Sequence, residues 1–244
     1  MCGRYVRAKS LRTYARAAGL HDWEEAHEYV GDISPNWNIA PTLCSKILRH
    51  EFGRPQFVSL RWGLVPFWAN DCKGKVQPIN AQCETAAEKP MFRKLMRERR
   101  CLVAADGFYE WKKTPAGKVP HYITHAGGEP FFFAGLWDCW HEGKADALPT
   151  FTILTGKPNE LVAGIHDRMA VIVRPRHYRL WLDPDLRDPQ ALADVFKPFA
   201  AEEMRAIPVS TRVNTPRNND SGLIEIDVPR AAAIEPMPIN QRLC

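Results

Sequence analysis

A chain of 244 residues with 45% hydrophobic and 25% charged residues can bury a substantial core, which excludes a disordered or fibrous protein. Its formal net charge of +5 leans toward a polyanionic partner, but so small an excess is shared with many enzymes that never meet nucleic acid. No apolar run reaches the length of a membrane span, and Met1-Cys2-Gly3-Arg4-Tyr5 lacks the apolar stretch of a signal peptide, so a cytoplasmic protein with a functional N-terminus is expected. Cysteines stand at 2, 44, 72, 83, 101, 139 and 244 with no C-x-x-C spacing, the pattern of reduced thiols rather than of a zinc clip or disulfide framework.

In chain order, Ser10 is placed to cap a short helix through Leu11, Tyr14, Ala15 and Ala18, with Gly19 to stop it. A polar stretch from Trp23 to Asp32 leads to Asn36-Trp37-Asn38-Ile39-Ala40-Pro41, read as an ordered loop. Cys44–Arg49 and Gln56–Leu64 flank Phe52-Gly53-Arg54-Pro55 as a hairpin. Met91–Arg100 reads as a helix with Met91, Phe92, Leu95 and Met96 on one side and basic residues on the other. Strands are expected at Arg100–Ala104, Phe108–Lys112, His121–Thr124, Phe131–Asp138, Phe151–Leu154 and Ala170–Val173, with Gly127-Gly128 turning a hairpin between the third and fourth. Helices near Gln190–Phe196 and Ala201–Ile207 precede an irregular stretch from Pro208 to Asp220. Strands in the middle with irregularly spaced helices predict an α+β fold: a single domain with a mostly antiparallel, partly closed, barrel-like β-sheet flanked by short helices. The domain is expected over residues 1–229, with 230–244 as a loose tail.

Position 2 carries the most distinctive chemistry. A small second residue lets the initiator Met be removed, which leaves Cys2 with a free α-amine beside its thiol. The amine, with a pKa near 7.7 to 8.0, attacks an aldehyde at neutral pH, and the thiol, near 8.5, needs only a modest electrostatic push to follow. Imine formation followed by sulfur attack on the same carbon closes a five-membered thiazolidine. A buried, inert terminal Cys is the plain alternative.

Further segments bear on that choice. They are Met1-Cys2-Gly3-Arg4-Tyr5, Asn36–Pro41, Arg61-Trp62-Gly63-Leu64-Val65-Pro66, Ile79-Asn80-Ala81, Glu84-Thr85, Ala105-Asp106-Gly107-Phe108-Tyr109-Glu110-Trp111-Lys112, Ile165-His166-Asp167-Arg168-Met169 and Val209–Asn218. Together, and in this order, they resemble the SOS-response-associated peptidase (SRAP) family along almost the whole chain. The resemblance implies recognition of abasic sites in single-stranded DNA and a covalent thiazolidine link through the second residue, with no metal or organic cofactor.

Glu110 lies between two aromatic residues in a predicted strand, where partial desolvation raises a carboxyl pKa toward acid/base use; a surface Glu on an edge strand is the alternative. By resemblance Glu110 opens the closed sugar to its aldehyde, His166 assists imine formation or its reversal, and Asn80 hydrogen-bonds the captured sugar or the new ring. Matching segments place Arg4, Pro41, Trp68, Gln82, Trp111 and Arg212 on the DNA-binding face. Trp62 and Trp137 sit in apolar strands and read as core, and Arg93, Lys94, Arg97, Arg99 and Arg100 as a solvated helix face.

Two features depart from the resemblance. Family members commonly place Arg where this chain has Gln82, and Gln brings no charge to a phosphate. A chain that keeps Met1 has no free amine on Cys2 and makes only a reversible hemithioacetal. Competing readings are a thiol peptidase acting on its own Met1-Cys2 bond, an amidotransferase with an N-terminal Cys nucleophile, and a noncovalent single-strand binder.

Overall fold

The computed structural model describes residues 2–20, 34–72, 74 and 76–227. The stretch from Trp23 to Asp32 and the tail from residue 230 onward lie outside them. In chain order the elements are β1 (Tyr5–Arg7), α1 (Leu11–Ala17), β2 (Asn36–Ile39), β3 (Cys44–Glu51), β4 (Arg54–Trp62) and β5 (Asn80–Gln82). Next come α2 (Cys83–Ala86), α3 (Pro90–Glu98), β6 (Arg100–Ala105), β7 (Gly107–Thr114), β8 (Gly117–His125), β9 (Phe131–Trp140) and β10 (Leu148–Gly156). The last are α4 (Glu160–Ala163), β11 (Met169–Ala170), β12 (Ile172–Val173), α5 (Tyr178–Leu182) and β13 (Met204–Pro208).

Strands β10, β4, β3, β6 and β9 form a ring that closes through a β9 to β10 pairing, with β5, β11 and β12 paired to it. The β10 to β4 and β10 to β5 pairings are parallel and the other pairings antiparallel. A second, wholly antiparallel sheet runs β13-β8-β7-β1-β2. The result is the α+β fold expected, with a mostly antiparallel, partly closed sheet. Every residue of β6 is buried, because α3 and α5 cover one face of the ring and the second sheet packs on the other. Tyr5 from the second sheet sets its edge against Trp62 at 5.2 Å and Phe133 at 6.0 Å, and Phe108 meets Phe133 at 5.8 Å. This aromatic layer carries β1, and therefore the N-terminus, into the centre of the molecule.

Several local expectations are met for the reasons given. The Ser10 side chain accepts from the Thr13 N–H, Leu11, Tyr14 and Ala15 are buried, and Gly19 ends the turn at φ +72°. Trp62 is fully buried, while Trp137 is partly buried against the same core, with the Arg49 and Arg99 guanidinium groups over its ring at 3.9 and 4.7 Å.

Other local expectations are corrected. Asn36–Ile39 is strand β2 rather than loop, because it pairs with β1 as the sheet's edge. The β3 to β4 turn is the two residues Phe52 and Gly53, both at positive φ as a type I′ turn requires, so Arg54 and Pro55 belong to the strand. Gly127-Gly128 makes no hairpin, since β8 pairs within the second sheet and β9 within the ring. The helix expected near Gln190–Phe196 is present, as a 3-10 helix, but the one expected over Ala201–Ile207 is a single 3-10 turn followed by β13. The open edge of β8 recruits Met204–Pro208 in antiparallel register, and tertiary pairing overrides local propensity. Arg100 is not on a solvated face: it is buried, donating to the carbonyls of Met96, Arg97, Trp181 and Asp183.

Candidate active site and nucleic-acid face

Cys2 has no solvent exposure and packs in the same core cluster as Tyr5, Trp62 and Phe133. Burial first, and the nearby Glu110 charge second, push its thiol well above the usual thiol range. The modest activation anticipated from sequence is therefore absent, and the sulfur is held as a protonated thiol.

Glu110 reaches Cys2 through strand pairing. Tyr5 lies opposite Phe108 and Val6 opposite Gly107, and the Tyr109 N–H donates to the Arg4 carbonyl at 2.9 Å. Continuing that register sets Glu110 beside Gly3. Since β7 runs between β8 and β1, Glu110 is in the sheet interior at 2% exposure, which removes the edge-strand alternative. Burial is the dominant influence on it and raises its pKa; the neighbouring His166 pulls the other way. The rest of the Ala105–Lys112 segment serves to place this carboxyl. Asp106 Oδ2 accepts from the Ala8 and Lys9 amides and from the Tyr14 hydroxyl, fastening β7 to the end of β1. A Cβ on Gly107 would lie 2.4 Å from the Tyr122 ring, so only glycine admits that ring. Tyr109 donates to the Trp37 carbonyl at 2.8 Å.

Asn80 opens β5, beside Ile153 of β10. Its Nδ2 donates to the Cys2 carbonyl at 2.7 Å, while its Oδ1 is buried and without a hydrogen-bond partner. A buried acceptor left open next to the reactive residue points to a donor supplied by something else.

His166 lies between α4 and β11. The Arg168 backbone N–H donates to its Nδ1 at 3.0 Å, and Asp167 Oδ1 is 2.8 Å from the same nitrogen. One nitrogen cannot both accept from the amide and donate to the carboxylate; with the amide bond made, the neutral ring carries its proton on Nε2. Arg168 secures this loop with two parallel bonds to Glu84 at 2.7 Å each and one to the Thr155 carbonyl at 2.6 Å. The Glu84 and Arg168 pair went unremarked in the sequence because its members are 84 positions apart and no periodicity links them.

The residues expected on the DNA face divide into two groups. Arg4 Nη1 donates to Asn38 Oδ1 at 2.7 Å and to the Val213 carbonyl at 2.8 Å. Trp111 Nε1 donates to Asn214 Oδ1 at 2.7 Å, and Arg212, exposed, pairs with Asp220 at 2.7 Å. Asn38 Nδ2 ties the same loop down through the carbonyls of Val213, Thr215 and Asn218. Arg4, Trp111 and Arg212 thus gather at one loop beside β7. Pro41 follows β2 at a turn where the Thr42 N–H bonds the Trp62 carbonyl, and Trp68 is 55% exposed after β4. Gln82, exposed, ends β5 and makes no capping bond to α2. No described hydrogen bond or ring contact ties Trp68 or Gln82 to the Cys2 group. Among the described residues no helix is long and apolar enough to cross a membrane.

The family model described as SOS response associated peptidase (SRAP) matches residues 1–216. The chain is 38% identical over 226 residues to "Abasic site processing protein YoqW" of Bacillus subtilis, covering 92% of this chain and 99% of that relative. It is 29% identical over 226 residues to "Abasic site processing protein YedK" of Escherichia coli, with the same coverage of each. To "Abasic site processing protein HMCES" of Xenopus tropicalis it is 29% identical over 257 residues, covering 90% of this chain and 76% of the relative. Among solved structures, a Bacteroides thetaiotaomicron protein superposes with a TM-score of 0.78 at 26% identity, covering 93% of this chain and all of that one. A Bordetella bronchiseptica protein shares the fold at a TM-score of 0.69 and 22% identity, covering 86% of this chain and 100% of its own.

Proposed function

The chain belongs to the SOS response associated peptidase family, and from that premise we propose that it processes abasic sites in single-stranded DNA by bonding covalently to the lesion through Cys2. The observation that carries the proposal is the convergence of Asn80 and Glu110 on one small, buried residue at the N-terminus, with an open acceptor on Asn80. Nothing in a structural cysteine calls for an acid/base carboxyl and an unused amide oxygen beside it.

The chemistry runs in three steps. Glu110, whose pKa burial raises, moves protons between the anomeric hydroxyl and the ring oxygen and so opens the hemiacetal to its aldehyde. The Cys2 α-amine, freed by loss of Met1, adds to the aldehyde and water leaves, giving an imine. The thiol then adds across the C=N bond and its proton ends on nitrogen, closing a thiazolidine. Because the thiol is held protonated, the amine acts first and the sulfur follows. Asn80 Oδ1 accepts from the sugar hydroxyl or the new ring N–H, and His166 shuttles a proton during formation or reversal. Arg4, Pro41, Trp68, Gln82, Trp111 and Arg212 face the strand. The test is incubation of processed protein with abasic and uracil-containing single strands followed by denaturing gels: a retarded band with the abasic strand alone is expected, and its absence sinks the proposal.

Removal of Met1 is part of this reading. Mass spectrometry of protein made in cells should show its loss, and a variant with one residue inserted between Met1 and Cys2 should form no stable adduct. Equal reaction rates for the blocked variant and the parent would exclude the α-amine. A second reading, cleavage of the chain's own Met1-Cys2 bond, is favoured by the same approach of Glu110 to Cys2; Glu110→Gln protein would then retain Met1.

A further inference from the structure

The loop that carries His166 is pinned at both ends. Asn159 caps α4 by accepting from the Val162 N–H, and the amides of Ile165 and His166 both donate to the Val162 carbonyl at 2.8 Å. Beyond the loop, Met169 and Ala170 pair with Gly156 and Thr155 of β10. Arg168 gives its guanidinium to Glu84 and to the Thr155 carbonyl, so its backbone N–H is held in place against His166 Nδ1 and its charge is not spent on Asp167. Asp167 is the partner with room to move, since its side chain is 89% exposed.

The 3.0 Å amide contact and the 2.8 Å carboxylate contact at Nδ1 are therefore two alternative states of the ring. In the first, Nδ1 is a bare acceptor and the neutral ring holds its proton on Nε2, which has no lone pair with which to take another. In the second, Nδ1 carries the proton and donates it to Asp167 Oδ1, and Nε2 can give up a proton and take one back. Only the second state shuttles protons. Burial dominates the Glu110 carboxyl, but the charges of His166 and Asp167 also reach it, in opposite directions, so both side chains lie near the site's acid.

We infer that Asp167 is a positioning residue for the reaction: it takes His166 Nδ1 from the Arg168 amide and so converts the ring to the form that exchanges protons at Nε2. The inference rests on the proposed capture of abasic strands, in which His166 serves formation or reversal. The proton that Nδ1 gains comes from solvent, which Asp167 faces. Nε2 then passes its own proton to the reacting atoms and later recovers it, while Nδ1–H stays on the carboxylate.

Two readouts test this. In protein labelled with 15N-histidine, the ring nitrogen shifts report which nitrogen of a neutral imidazole bears the proton, and the His166 signals are those missing from His166→Ala. The parent should show the Nδ1–H form, and Asp167→Asn, whose amide becomes a second donor to Nδ1, only the Nε2–H form. With the abasic strand saturating, so that loss of a negative charge cannot act through affinity, Asp167→Asn and Asp167→Ala should slow the step that needs His166 by about fivefold, the scale of an exposed charge contact. Asp167→Glu should recover most of the rate, and Asp167→Asn should add nothing to His166→Ala. The same tautomer in parent and Asp167→Asn, an unchanged rate, or a slowing that persists without His166 overturns the proposal. The nitrogen shifts are read without DNA, so failure of Asp167 as the positioning residue and failure of covalent capture are distinguishable.

Discussion

Cys2→Ala should abolish the denaturant-resistant adduct with abasic single-stranded DNA while leaving noncovalent affinity nearly intact. The aldehyde needs a nucleophile that stays attached, and in the proposed mechanism the amine and thiol of one residue are that nucleophile. Cys2 is fully enclosed, and Asn80 holds its carbonyl rather than its sulfur. Exchange for alanine therefore keeps the amide contact and leaves a small void, at a cost on the order of 1 kcal/mol. Circular dichroism and the thermal midpoint should confirm a folded protein, so that loss of the adduct reports chemistry. Cys2→Ser should give at most a weaker or hydrolysable link, since a hydroxyl closes and holds the ring less well. An undiminished adduct from Cys2→Ala would falsify the mechanism outright.

Glu110→Gln should slow adduct formation by roughly 10²-fold or more, the usual scale for removing a positioned acid/base group. Glutamine preserves the shape of the side chain and its place on β7 but cannot exchange a proton. The same variant should be more stable than the parent at neutral pH. A carboxyl whose folded-state pKa is raised by burial binds its proton more tightly folded than unfolded, so its favourable contribution is full below about pH 4.3 and is lost as pH rises through the raised value. Glutamine, always neutral, escapes that loss. Thermal midpoints of the two proteins should coincide in acid and diverge above about pH 5, with the variant higher. His166→Ala should slow formation, reversal or both. Unchanged rates in Glu110→Gln and His166→Ala would remove both residues from the mechanism, whatever Cys2→Ala shows. A rate loss accompanied by a lower thermal midpoint for Glu110→Gln would instead make the carboxyl a structural support.

The sequence alone determined the chemistry available to this protein and most of its elements. A small residue after Met1, the apolar, strand-forming runs read as β6, β7, β9 and β10, and the cap and stop around α1 are local properties, and local physics is enough to read them. The ordered motifs also determined the family, because they preserve residue identity across the chain. Three matters were decided only by the tertiary structure. Whether Glu110 is a surface residue or a buried acid depends on β7 having neighbours on both sides, and β1 joins it from a hundred positions upstream. The thiol's protonation depends on the burial of Cys2 beneath the aromatic layer, which no pattern near residue 2 encodes. Met204–Pro208 became a strand rather than a helix because β8 offered an unpaired edge, and a hydrogen-bonding partner 80 residues away outweighs propensities worth a few tenths of a kcal/mol per residue. In each case the deciding interaction joins segments distant in sequence: the local pattern names the groups, and packing sets their solvation and charge.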